Sequence, residues 1–148
     1  MTIRSFLLAV SLLLAVPALA DPIAVVVNPA SPIQELTSKE LKAAYEGYGL
    51  PDISEEITLV YLRGDIEDAF NLSVLGISSK KVKVYWLRRV FEGESDLRRI
   101  CKTPAEVRRF VSENADCIGF LPVPELDESV RAISIDGTPH SDPGYPVK

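Results

Sequence analysis

The sequence predicts an α/β fold, a mostly parallel sheet flanked by helices, and three observations predict it. Strand-like and helix-like segments interleave along the chain, which is the pattern of a sheet covered by helical connections. The first of them, Ile23-Ala24-Val25-Val26-Val27, is apolar without alternation, as suits a strand buried on both faces under helices. Two helix starts carry their own punctuation. Thr37-Ser38-Lys39-Glu40 and Thr103-Pro104-Ala105-Glu106 each place a Thr three positions before a Glu, so hydroxyl and carboxylate can satisfy orphan amides reciprocally. The second adds Pro at the first helical position, where its missing N–H costs nothing.

The elements follow in order. Asn28-Pro29 closes the first strand. Leu41, Ala44, Tyr45 and Tyr48 then recur at helical spacing until Gly47 and Gly49 stop the helix. A Pro51-Asp52 turn leads into a strand over residues 57–62. Ile66, Ala69, Phe70 and Val74 predict a helix closed by Gly76. Ser78 and Ser79 can cap the next segment, where Val82, Tyr85, Trp86 and Val90 fit a helix and Val82, Val84 and Trp86 fit an alternating strand. Beyond the helix begun at Pro104, with Val107, Phe110 and Val111 as its inner face, residues 117–121 and 130–135 read as the last two strands. The tail from Asp136 is rich in Gly and Pro and reads as irregular. No internal repeat or linker divides the chain, so residues 21–148 are expected to form one domain.

Residues 1–20 read as a cleaved signal peptide. Arg4 precedes an apolar core of about a dozen residues, short of the ~20 a spanning helix needs, and Pro17-Ala18-Leu19-Ala20 supplies small residues for cleavage. Losing Arg4 takes the net charge from −5 to −6. An acidic chain without a dense basic stripe excludes nucleic acid as a partner class and offers anionic lipid no bulk attraction. No later segment is apolar enough to insert in a membrane.

Cys101 and Cys117 are the only cysteines. In an exported chain they are expected to pair, and the loop of about 15 residues would contribute roughly 3 kcal/mol. Their spacing matches no redox motif, and with a single His there is no metal set. Catalysis is poorly supplied. His140 sits in the irregular tail, and Glu55-Glu56 and Glu125, Asp127 and Glu128 read as solvated turns. No phosphate-cradling Gly-rich loop is present. The expectation is a non-enzymatic protein without a cofactor.

Binding is easier to motivate. In open α/β sheets ligands sit beyond the carboxyl ends of strands, where helix N-termini present N–H groups. Two turns qualify, Asn28-Pro29-Ala30-Ser31 and Arg63-Gly64-Asp65. Asn28, Ser31, Arg63 and Asp65 are therefore the candidate contacts for a small oxyanion, with the Arg63 guanidinium fork as its main anchor. The competing reading has Asp65 capping the next helix and Arg63 paired with a neighbouring carboxylate. Tyr85 and Trp86 suit either a cleft or the core.

An ordered set of segments carries a resemblance. Val27-Asn28-Pro29, Leu36 to Gly47, the strand ending in Arg63, Leu75-Gly76, Tyr85-Trp86 with Phe91-Glu92-Gly93, Cys117-Ile118-Gly119-Phe120-Leu121 and the closing Ile-Asp-Gly and Tyr-Pro elements succeed one another. Together they resemble the phosphate-binding proteins of ABC importers, in short single-domain form. The resemblance implies a periplasmic-binding-protein-like α/β domain, close to one lobe of a two-lobe receptor, soluble in the periplasm. It implies phosphate or another small oxyanion as ligand, and an ABC permease or a sensor as protein partner. Arg63 matches the family's phosphate-binding Arg and Asp65 the acidic residue after it. The Ser-Gly-Thr turn of the family is replaced by Ile66-Glu67-Asp68-Ala69, whose carboxylates repel an anion. That departure motivates the alternative of an interaction module that kept the fold and lost the ligand.

Overall fold

In the computed structural model, residues 21–54 and 56–148 are described; the expected signal peptide and Glu55 lie outside the described residues. In chain order the elements are β1 (Ile23–Val27), β2 (Glu35–Leu36), α1 (Ser38–Tyr45), β3 (Thr58–Leu62), α2 (Asp65–Val74), α3 (Ser79–Phe91), β4 (Arg98–Cys101), α4 (Pro104–Glu113), β5 (Cys117–Pro122), a 3-10 turn at Val123–Glu125, β6 (Arg131–Ala132) and β7 (Ser134–Ile135). The main sheet runs β4-β3-β5-β1-β6, and β2 pairs with β7 in a separate ribbon. β3 is parallel to β4 and β5, whereas β1 is antiparallel to both β5 and β6. The sheet is thus mostly parallel, with one strand reversed. β1 is buried along its whole length, and that burial explains its unbroken apolarity whichever way it runs.

Helices cover both faces. Val107 and Val111 of α4 lie over Gly119, where an added Cβ would come within 3.2 Å of the Val60 Cβ; glycine lets the helix settle onto the strands. On the other face Phe70 of α2 stacks on Phe120 at 3.9 Å, with Tyr45 of α1 edge-on to Phe70 at 4.7 Å. The Tyr45 hydroxyl donates to the Ile118 carbonyl at 3.2 Å, so the buried polar tip is satisfied. α3 packs on α2 and buries Val82 and Trp86, which decides the open segment in favour of a helix.

The local signals at the helix starts hold. Thr37 and Glu40 form the complete reciprocal box, reinforced by Asp136, which accepts from the Ser38 N–H at 2.7 Å. At α4 the Thr103 hydroxyl accepts from the Glu106 N–H at 3.2 Å, but the Glu106 carboxylate reaches one residue further back, to the Lys102 N–H at 2.8 Å. Three features depart from expectation. Residues 98–101, Arg-Arg-Ile-Cys, form an edge strand whose charges mask its pattern, as edges tolerate. The single strand expected over 130–135 is two short strands in different sheets, broken at Ile133, whose N–H bonds the Val25 carbonyl at 3.0 Å. The tail is irregular, yet it is fastened. Tyr145 is buried; its hydroxyl accepts from the Val25 N–H at 3.3 Å and donates to the Ile133 carbonyl at 3.1 Å.

The expected Cys101–Cys117 disulfide is not formed; both are buried free thiols. Cys101 is registered with Leu62 and Cys117 with Thr58, on opposite sides of β3. Two strand spacings and four residues of offset separate them by about 16 Å, far beyond the ~7 Å limit between bridged Cα atoms. An even cysteine count in an exported chain suggested a staple; the crossover through α4 carries the chain past β3 and places the two thiols too far apart for one.

These buried acids set an alkaline limit. Burial pushes the Cys117 thiol up to about 12 from 9.0 and the Tyr145 phenol up to about 12 from 10.0. Both ionise first in the unfolded chain, so their contribution is whole below pH 9 and is lost as pH rises towards 12. The urea midpoint is expected to fall across pH 9–12, and a Cys117→Ala, Tyr145→Phe double variant to fall less steeply. A midpoint that is flat across that range, or an identical slope in the variant, contradicts this.

Candidate functional site

Strand direction decides which candidate residues can meet. Val27, at the end of β1, and Leu59 of β3 are both registered with Ile118 of β5. β3 then runs on for three residues to Leu62, whereas β1 runs back towards Ile23, which is registered with Pro122. The turn after β1 therefore lies at one end of the sheet and the turn after β3 at the other. Asn28 and Ser31 cannot share a ligand with Arg63 and Asp65.

At the first end the polar groups are engaged by the protein. Asn28 is 8% exposed. Its Nδ2 donates to the carbonyls of Val111 and Ser112 at 3.0 and 2.9 Å, and its Oδ1 accepts from the Ala30 N–H at 2.8 Å. It ties off the last turn of α4, where carbonyls lack intrahelical partners. Ser31 is 4% exposed; its Oγ accepts from the Ile33 N–H at 3.2 Å, and its carbonyl accepts from Arg131 at 2.8 Å.

The second end is open. Gly64, at φ +113°, precedes α2 and provides no side-chain cap. Asp65 is the first helical residue and does not cap the helix through its side chain. The first turn of α2 thus keeps amides that its own helix cannot satisfy. Arg63 is half exposed, and its Nη1 contacts both carboxylate oxygens of Glu67 at 3.2 and 3.3 Å. The carboxylate pairing foreseen for Arg63 is therefore present, one helical turn on. Nη2 and Nε make no protein hydrogen bond among the described residues and remain available as donors. Glu67 is buried beside Arg63, so the acidic face of this turn reduces to Asp65 and Asp68.

Beside this turn lies a cavity of about 600 Å³, within the range typical of small-molecule pockets. Its floor is apolar, formed by Ile23, Ile66, Ala69 and Tyr145. Asp21, Asp65 and Asp142 stand around it with His140 and Lys148. The tail thus contributes a wall that its composition did not announce, and His140 is half-buried there rather than loose. The apolar Tyr145 and Val147, on either side of Pro146, were the available signal. Trp86 is fully buried and belongs to the core, and Tyr85 donates its hydroxyl to the Glu46 carbonyl at 2.7 Å. Neither lines the cavity. Asn71, in a glycosylation-like triplet, is also fully buried.

No protein-family model matches the sequence, and neither does any curated protein. Solved structures do. An ABC-type phosphate transport receptor from Vibrio cholerae superposes with a TM-score of 0.61 at 20% identity, over 78% of this chain and 46% of the receptor. The fold is that of the phosphate receptors. A second match, assigned as a phosphate ABC transporter substrate-binding protein with bound phosphate from Clostridium perfringens, gives a TM-score of 0.64 at 22% identity over 80% of this chain and 46% of that one. PstS from Borrelia burgdorferi gives 0.61 at 12% identity, over 80% and 48%. The likeness is one of architecture, and the chain spans about half the length of the receptors it matches.

Proposed function

We propose that the chain is an exported, non-enzymatic solute-binding module that takes a small oxyanion, phosphate first among them, at the carboxyl edge of β3. The observation that carries this reading is Arg63. It stands half exposed at the strand-to-helix turn, with two guanidinium donors unused among the described residues, beside a helix start without a side-chain cap. Guanidinium donors and first-turn amides are the two groups that bind oxyanions best, and the fold is shared with proteins that carry phosphate in their names. Asn28 and Ser31 have no part in this site. Asp65 and Asp68 oppose an anion, so binding is expected in the millimolar range. A module of half length offers one wall of a receptor cleft; an ABC permease or a periplasmic sensor would be its protein partner.

Phosphate at ten times its Kd is expected to raise the melting temperature by about 3–5 °C, and Arg63→Ala to abolish the rise while leaving the unliganded protein folded. The absence of any rise with phosphate or sulfate would count against oxyanion binding. It would favour the second reading, an interaction module that kept the fold, for which the exposed Asp65 and Asp68 speak. Capture of a basic periplasmic protein by the wild type, lost in an Asp65→Lys, Asp68→Lys variant, would support that reading.

A further inference from the structure

The outward face of α3 does not fit the chain's acidic balance. The inner face is set by Val82 and Trp86. Opposite them stand Val84, Leu87 and Phe91, 51%, 55% and 83% exposed, spaced three and four apart so that they form one row. At about 100° per residue, Lys80 heads this row, Lys81 and Arg88 flank it on one side and Lys83 on the other. All four cations are exposed, and none takes part in an ion pair among the described residues. Arg89 turns inward, to Tyr85 and Glu94. α3 therefore holds five of the 16 basic residues and no acidic one, leaving eleven basic against 21 acidic residues elsewhere.

We propose that this face of α3 docks on an anionic lipid surface. An apolar row bordered by cations is the arrangement of helices that lie in the headgroup layer. The apolar side chains enter the acyl boundary, and the Lys and Arg stems bend outward so their charges meet lipid phosphates. An exposed apolar row with cations on both flanks suits a plane better than a protein groove. Association would be peripheral, since no helix among the described residues is long and apolar enough to cross a membrane. The expected lack of bulk attraction for anionic lipid concerns net charge; segregation onto one helix supplies a local attraction. The proposal is independent of oxyanion binding at Arg63, which lies on another element.

Co-sedimentation with vesicles tests it, using phosphatidylcholine with and without phosphatidylglycerol, at low salt and at about 0.5 M salt. The protein is expected to bind the anionic vesicles at low salt only and to ignore the neutral ones. A Lys80→Gln, Lys83→Gln, Arg88→Gln variant is expected to lose binding about tenfold or more, and Phe91→Ser to lose it several-fold, both with unchanged circular dichroism because the side chains face solvent. Failure to bind anionic vesicles at low salt would overturn the proposal, as would undiminished binding by the triple variant. Self-association that Phe91→Ser abolishes, without vesicle binding, would overturn it too and assign the face to a second copy of the chain.

Discussion

Phe70→Ala is expected to lower the unfolding free energy by about 3–5 kcal/mol, a large share of the 5–15 kcal/mol typical of a domain. Phe70 is fully buried and is the one aromatic residue of α2. Its ring lies flat on Phe120 at 3.9 Å and meets Tyr45 edge-on at 4.7 Å, with Tyr61 at 6.5 Å closing the cluster. Truncation removes the aromatic contact of α2 with the sheet, leaving Ile66, Ala69 and Val74 to hold the helix. It opens a cavity among rings too rigid to collapse into it, so the cost includes both the transfer and the void. Urea denaturation with an unchanged m-value measures the effect. A loss below about 1 kcal/mol would mean that α2 is held on the sheet by something other than this stack.

Asn28→Ala carries the second large effect, about 3 kcal/mol, because three hydrogen bonds disappear at a nearly buried site and each leaves a backbone group without its partner. Two are carbonyls at the end of α4 and one is the Ala30 N–H. Asn28→Asp separates the roles, since it keeps the acceptor for Ala30 but has nothing to donate to Val111 and Ser112. It is expected to be at least as destabilising. Neither variant should alter the response to phosphate, because Asn28 and Arg63 lie at opposite ends of the sheet. A stable Asn28→Ala protein with an impaired phosphate response would reverse the assignment.

Which parts were legible in the sequence follows from how local each signal is. The box at Thr37 is complete within four residues, and at Thr103 the hydroxyl half forms while Glu106 reaches back to Lys102; both helices begin where those residues say. The Arg63–Glu67 pair is likewise a single helical turn. Strand direction is different. Five buried residues in β1 look the same running up or down the sheet, yet that direction decides whether Asn28 and Ser31 stand beside Arg63 or opposite it. The disulfide failed for a related reason, as the number of residues between Cys101 and Cys117 says nothing about the strand that lies between them. Tyr145 forms hydrogen bonds with Val25 and Ile133, 120 and 12 positions away; its apolar ring and Val147 hint at burial, but no local pattern names the partners that make the tail wall a cavity. Net charge concealed α3 in the same way, by averaging over residues that the fold keeps apart.

Oxyanion binding by Arg63 and the first turn of α2, at the carboxyl edge of β3, is open to direct measurement. The most direct measurement is a phosphate titration followed by amide and arginine side-chain NMR signals. Saturable shifts are expected in Gly64, Asp65, Ile66 and the Arg63 Nε–H, with Asn28 and Ser31 unmoved. Shifts centred on Asn28 and Ser31, or no saturable shift anywhere at millimolar phosphate, would contradict it.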